Sequence, residues 1–296
     1  ILESLRLEAD GQLVVSGTSM EAFVESKCSA AVETAGIVCV EAAVFCKAIE
    51  SMSDDDVLLH EQGNFLVVEG SSCFRFTTID SSIFPDSPLP KDLGVCTIMS
   101  GVIRDLYKMV APSVADHEDY RSGSLHGILW KVSGGVLELQ ATDDKSFVAV
   151  RGQAPFQDDC QEEKTVVPAE AFKLVLGLSG DNEEVEVRIG NGNIHFYSDS
   201  GRISHRLLQP RYPEARNRLK KKHKTEAVVR LPASVLFKAV KQMFLGDRIS
   251  MSADGAKGVL SLKSGDARGE AEVILDIADV EVGDKVMAGI EKSGKA

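Results

Sequence analysis

Between Glu184 and Ile189 the chain alternates charged and branched apolar residues, Val185, Val187 and Ile189 against Glu184, Glu186 and Arg188. That two-residue period predicts a strand with one buried face. Just before it, Ala171, Phe172, Val175, Leu176 and Leu178 recur at the spacing of a short amphipathic helix. Pro168 stands at the first helical position, where its missing N–H costs nothing, and Ser179-Gly180-Asp181-Asn182 breaks the pattern. Gly190-Asn191-Gly192-Asn193 predicts a hairpin turn, because these residues tolerate positive φ. Ile194–Tyr197 and Ile203–Leu208 supply two further strands, so residues 165–214 read as a β-α-β-β-β unit.

The same unit occurs earlier. Val40-Glu41-Ala42-Ala43-Val44-Phe45 matches Val167-Pro168-Ala169-Glu170-Ala171-Phe172 at an offset of 127 residues. Phe74 matches Ile203 and Ile79 matches Leu208, both at 129, and Phe84-Pro85-Asp86 matches Tyr212-Pro213-Glu214 at 128. Asp10-Gly11 through Thr18 matches Gly134-Gly135 through Thr142 at 124. An offset this steady marks a duplicated domain.

Taken in order, residues 1–35 read as strands, 36–52 as strand then helix, and 57–59, 65–68 and 74–79 as three strands closing the first unit. Pro85, Pro88 and Pro90 mark a boundary. A second domain opens with a helix near Ser100–Val110, and Leu125–Val132, Val136–Thr142 and Phe147–Val150 read as strands. A basic linker, Arg216 to Lys224, leads to a third domain whose helix opens at Leu231-Pro232-Ala233 and runs to about Phe244. Strands at 249–251, 258–262 and 270–275 follow. The predicted domains are 1–93, 94–222 and 223–296. By the repeat register, roughly 25 to 30 residues are expected ahead of the first domain, and the third is expected to be only its first half.

Composition narrows the partners. At 296 residues and 44% hydrophobic content the chain can build several small cores. No run of eighteen apolar residues and no charged-then-apolar leader occurs, which predicts a soluble cytoplasmic protein. Cys28, Cys39, Cys46, Cys73, Cys96 and Cys160 include no CxxC and are expected as reduced, buried thiols. The net charge of −12 argues against a simple basic nucleic-acid binder, though not against one whose cations share a surface. Catalytic signatures are missing: the six histidines fall in no ligand spacing, and there is no Walker A loop and no GxSxG elbow. Gly190-Asn191-Gly192 precedes a strand, and Asp54-Asp55-Asp56 reads as a solvated turn rather than a metal site. No cofactor or metal is expected.

Phe74-Arg75-Phe76-Thr77-Thr78-Ile79 with Phe84-Pro85-Asp86, Leu125-His126-Gly127 with Ala141-Thr142-Asp143, Ser204-His205-Arg206-Leu207 with Tyr212-Pro213-Glu214, and Gly269-Glu270-Ala271-Glu272 with Ile274-Leu275-Asp276 resemble the bacterial sliding clamp family, the beta subunit of DNA polymerase III. The resemblance covers nearly the whole chain. It implies an α+β fold of tandem clamp domains, with helices inside and sheets outside a ring closed by a head-to-tail homodimer. The implied function is that of a non-catalytic processivity factor, which encircles double-stranded DNA without reading sequence and docks the replicative polymerase, the clamp loader and repair proteins. A clamp-derived peptide-binding scaffold that no longer encircles DNA is the alternative.

Residue by residue, the resemblance implies DNA-facing cations at Lys47, Arg104, Lys108, Lys173, Lys238 and Lys241. Glu41, Glu50 and Glu170 in the same helices thin that lining. A groove for short Leu/Phe peptides maps to Leu125, Thr142, Asp144, Lys145, Ser146, Phe147, Pro213, Asn217 and Arg218, where Asp144-Lys145-Ser146 departs from the family's usual Gly-His-Arg. The dimer contact maps to Phe74, Phe76, Met243, Phe244 and Leu245.

Overall fold

The computed structural model describes residues 3–88, 94–116, 123–153, 163–208, 212–213, 227–245, 248–254, 257–266, 269–276 and 279–282. The chain forms two compact units, Ile1–Ala215 and Arg216–Ala296.

The first unit holds both copies of the repeat. Its strands are β1 (Ser4–Ala9), β2 (Leu13–Thr18), β3 (Ala22–Cys28), β4 (Gly36–Glu41), β5 (Leu58–Gln62), β6 (Phe65–Glu69) and β7 (Cys73–Thr77), then β8 (Gly94–Met99), β9 (Gly127–Ser133), β10 (Val136–Thr142), β11 (Phe147–Gln153), β12 (Glu163–Pro168), β13 (Glu184–Gly190), β14 (Asn193–Ser198) and β15 (Gly201–Arg206). Its helices are α1 (Ala42–Ser51), α2 (Ser100–Val110) and α3 (Ala169–Leu178).

Equivalent elements of the copies do equivalent things. After β7, the Ile79 N–H donates to the Cys39 carbonyl at 2.8 Å; after β15, the Leu208 N–H donates to the Val166 carbonyl at 3.0 Å. Phe84 is buried with Phe23, Cys39 and Ile79, and Tyr212 is buried with Leu129, Val166 and Leu208. The offsets of the sequence repeat are thus the offsets of a structural one.

The copies are not separate bodies. β3 pairs antiparallel with β15, so strands of both repeats make one eight-stranded sheet, ordered β4-β1-β2-β3-β15-β14-β13-β8. Gly201 opens β15 at φ 150°, where an added Cβ would stand 2.0 Å from the Glu25 carbonyl oxygen, so only glycine lets the strands meet. A second sheet runs β11-β10-β9-β12 and a third β5-β6-β7. α2 and α3 pack on each other through Tyr107 and Phe172, whose rings stack at 5.4 Å, above a core of Trp130, Leu137, Leu139, Phe196 and Ile203. α1 covers a smaller core of Leu7, Val40, Phe45, Leu66, Val68 and Phe76.

The second unit contains β16 (Ala227–Arg230), α4 (Ala233–Gln242), β17 (Ile249–Asp254), β18 (Val259–Asp266), β19 (Gly269–Asp276) and β20 (Asp279–Val282). Its sheet is β17-β18-β19, with β16 paired to β20, over a core of Ala239, Met243, Leu260 and Leu262. The mixture of strands and a few helices is the α+β class expected.

Several local expectations shift. Pro168 ends β12, paired with Gly127, and caps α3 from outside rather than opening it. Glu41 likewise closes β4 and precedes α1. Leu125 lies in a turn ahead of β9, not in the strand. The helix of the second unit stops at Gln242, and β20 alternates only over Asp279-Val280-Glu281-Val282, too short a run to announce a strand by itself. Cys46 and Cys73 are exposed rather than buried thiols, because α1 and edge strand β7 turn those positions outward; Cys160 lies outside the described residues. Among the described residues no helix is long and apolar enough to cross a membrane.

Candidate functional site

The six candidate DNA-facing cations all lie on helices: Lys47 on α1, Arg104 and Lys108 on α2, Lys173 on α3, and Lys238 and Lys241 on α4. The lysines lie off the faces that carry their helices' buried residues, which are Phe45 and Ala48 on α1, Ser100, Ile103, Leu106 and Val110 on α2, Ala171, Phe172 and Val175 on α3, and Ala239 on α4. All five lysines are exposed. Arg104 differs, being partly buried and ion-paired with Asp181 in the turn after α3. The same turn is tied to the start of α2, where the Ser100 hydroxyl donates to the Gly180 carbonyl at 2.5 Å.

Charge on these helices is uneven. α1 contains Glu50, α2 Asp105 and α3 Glu170, whereas α4 contains no carboxylate. α4 also exposes Phe237, with the Lys241 ammonium 4.6 Å from the ring centroid. In the sequence an aromatic between Leu236 and Val240 reads as core, and only the face it takes on the helix places Phe237 outside.

The candidate groove is built around the β10–β11 hairpin. Thr142 is buried; its Oγ1 donates to the Ser146 carbonyl at 2.6 Å and accepts the Asp144 N–H at 3.2 Å. The Asp143 carboxylate accepts the N–H of Ser146 at 2.5 Å, that of Lys145 at 2.9 Å and the Ser146 hydroxyl at 2.9 Å. These bonds, led by the Ser146 amide, hold its pKa below the ordinary carboxylate value. Asp144 sits at φ 68°, a left-handed conformation that glycine adopts freely and aspartate tolerates, so the departure from glycine keeps the turn and adds an exposed carboxylate. Asp144, Lys145 and Ser146 are exposed, while Phe147 is half-buried and register partner of Thr142.

The groove's apolar residues come from separate places. Leu125 is buried in its turn, its carbonyl accepting the Ala115 N–H at 3.1 Å. Pro213 is half-buried and follows Tyr212, whose hydroxyl donates to the Gln140 carbonyl on β10 at 3.2 Å. Burial raises the Tyr212 phenol far above its usual range, keeping it a neutral donor. Asn217 and Arg218 lie outside the described residues.

The five residues assigned to a dimer contact divide. Phe76 is 7% exposed, edge-on to Phe45 at 5.3 Å, and Met243 is 6% exposed in the second unit's core. Both serve their own cores, Phe76 from the inward side of β7 and Met243 from just past the end of α4. Phe74 is half-buried, stacked on Phe76 at 6.3 Å, and Leu245 is partly buried. Phe244 is 79% exposed.

Comparison with known proteins follows the repeat boundaries. Residues 1–88 match the DNA polymerase III beta subunit N-terminal domain, and residues 98–214 match its central domain. The chain belongs to the DNA polymerase III beta subunit family. The beta sliding clamp of Escherichia coli K12 is 26% identical over 298 residues, covering 96% of this chain and 79% of that protein. That of Halalkalibacterium halodurans is 23% identical over 277 residues, covering 89% and 70%. The Bacillus subtilis sliding clamp crystal structure superposes with a TM-score of 0.84 at 17% identity, over 95% of this chain and 78% of that one. A Pseudomonas aeruginosa clamp solved with griselimycin gives 0.79 at 21%, over 95% and 77%.

Among the described residues no three His, Cys, Asp or Glu side chains gather as a metal site. Asp54, the first of the three aspartates, instead accepts the Ser71 N–H at 2.9 Å and its hydroxyl at 2.5 Å.

Proposed function

We propose that this member of the family acts as a DNA sliding clamp, a non-catalytic processivity subunit that closes around duplex DNA with a second copy, head to tail, and tethers the polymerase through short apolar peptides. The three-domain division at 1–93, 94–222 and 223–296 and placement in the cytoplasm belong to the same reading.

The observation that carries it is the β3–β15 seam. There the third strand of one half-repeat pairs with the last strand of another. The same two kinds of edge recur elsewhere. β7 is the last strand of the first repeat and ends its sheet; β19 is the third strand of a β17-β18-β19 meander and ends its own. Pairing β7 of one copy with β19 of another would repeat a joint the molecule already uses. A head-to-tail contact of this kind closes into a ring when the rotation returns on itself. The exposed lysines of the four helices would then meet phosphates only, which allows sliding because no base is gripped. Leu125, Phe147 and Pro213, with Asp144, Lys145 and Ser146 at the rim, would receive partner peptides.

Topology tests the reading. The protein is loaded onto a nicked circular plasmid, washed in high salt, and the DNA is then linearised. A clamp remains on circles and slides from cut ends. Equal retention on circle and line would overturn the proposal, because cations alone, including the run from Arg216 to Lys224, hold both alike.

A further inference from the structure

α4 departs from the other helices in charge and in one side chain. It has no carboxylate, in a chain where acids outnumber bases 45 to 33. Lys238 and Lys241 are exposed on it, and Phe237 is 60% exposed. Phe237 stands outside the core built from Ala239, Met243, Leu260 and Leu262. The Lys241 ammonium lies over the ring, 4.6 Å from its centroid, so a cation is held against one face of the aromatic. A duplex keeps its bases stacked inside and offers such a surface only phosphates. A single strand offers both phosphates and free base faces, and the combination that binds it is an open aromatic ring beside cations.

We propose that α4 is a contact for single-stranded DNA, with Phe237 stacking on an unpaired base and Lys238 and Lys241 meeting the flanking phosphates. The inference rests on the sliding-clamp reading and names a DNA form for it, the primed junction where duplex gives way to unpaired template.

Fluorescence anisotropy of the full chain with a labelled oligothymidylate, and with a duplex of equal length, tests this. Phe237→Ala weakens single-strand binding at least about fivefold and leaves duplex binding within about twofold. Phe237→Tyr retains the affinity; Phe237→Leu, apolar but unable to stack, is as weak as alanine. Lys238→Ala and Lys241→Ala weaken both DNA forms, each lowering the single-strand salt slope by about 0.7. The ring is exposed, so these variants keep the fold, which circular dichroism checks. Unchanged single-strand binding by Phe237→Ala overturns the proposal and moves binding elsewhere. Rescue by leucine, or a changed sedimentation coefficient, overturns it in favour of an apolar contact with another copy. Retention on circular duplex is read separately, so the clamp reading and this inference can fail independently.

Discussion

Arg202, on the last strand of the second repeat, grips Glu25, on the third strand of the first, 177 residues away. Its Nη2 is 2.8 Å from Oε1 while its Nε donates to the other oxygen, a two-pronged match of guanidinium and carboxylate. The residues are register partners, 28% and 19% exposed, and the guanidinium also lies over the Phe23 ring. The pair therefore joins the two repeats at the seam. A double-mutant cycle with Arg202→Met and Glu25→Gln, read by urea unfolding, is expected to give a coupling of about 1–2 kcal/mol. Zero coupling would mean that backbone pairing alone holds the seam.

Phe244 and Phe76 make opposite predictions although the family resemblance maps the dimer contact to both. Phe76→Asp puts a carboxylate into the core beside Phe45 and should cost about 3–5 kcal/mol or more, lowering Tm sharply. Phe244→Asp changes an exposed side chain and should leave secondary structure intact while sedimentation shifts toward the monomer. A Phe244→Asp variant as dimeric as the parent removes Phe244 from the contact.

How much of this was legible beforehand depends on what sets each feature. Strand alternation and the repeat offsets are local or periodic, so β13, the Asn191-Gly192 hairpin and the equivalence of Ile79 with Leu208 and of Phe84 with Tyr212 could be read directly. The seam could not. Which edge meets which is decided by Gly201 and by Arg202 with Glu25, residues that look ordinary until two strands approach. Exposure was the other blind spot. Phe76 and Phe244 look alike in sequence, and only the face each takes on its element separates core from surface.

The groove reading predicts that a peptide of the form Gln-Leu-x-Leu-Phe binds at micromolar strength, about −8 kcal/mol, by apolar burial. Phe147 is half-buried at the end of the hairpin, so Phe147→Ala should weaken binding about tenfold without unfolding the domain. Calorimetric titration of parent and variant checks this. Equal affinities would place the peptide elsewhere.

His195 makes the seam's neighbourhood pH-sensitive. It is 1% exposed, its Nδ1 2.7 Å from the Ser204 hydroxyl. Burial, then the Arg188 and Arg202 guanidiniums, push its pKa below the ordinary 6.5; Glu186, paired with Arg188, Glu25, paired with Arg202, and the Tyr197 phenol are the other titratable groups around it. Above pH 6.5 both folded and unfolded chains hold a neutral ring, and its contribution is fully present. As pH falls below that value, the unfolded chain takes up a proton that the folded one refuses, and stability declines until the folded pKa is passed. His195→Gln, which still bonds Ser204, should flatten the fall in Tm between about pH 7 and 5. Parallel Tm profiles for parent and variant would sink the assignment.

The helix cations should not contribute equally to DNA binding. Each exposed lysine that neutralises a duplex phosphate adds about −0.9 to the slope of log affinity against log salt. Removing Lys47, Lys108, Lys173, Lys238 or Lys241 singly should therefore make that slope shallower by about one unit, with no change in sequence preference. Arg104 already has Asp181 as its partner, and a phosphate would have to displace that carboxylate. Arg104→Ala should thus change the slope by clearly less than a lysine substitution, whereas Asp181→Asn, which frees the guanidinium, should strengthen duplex binding and steepen the slope. The comparison is internal to one fold and one ionic-strength series, so the basic run from Arg216 to Lys224 adds the same background to every variant. If Arg104→Ala matches the lysine variants and Asp181→Asn matches the parent, the ion pair gives way at no cost, and all six cations form one undifferentiated lining.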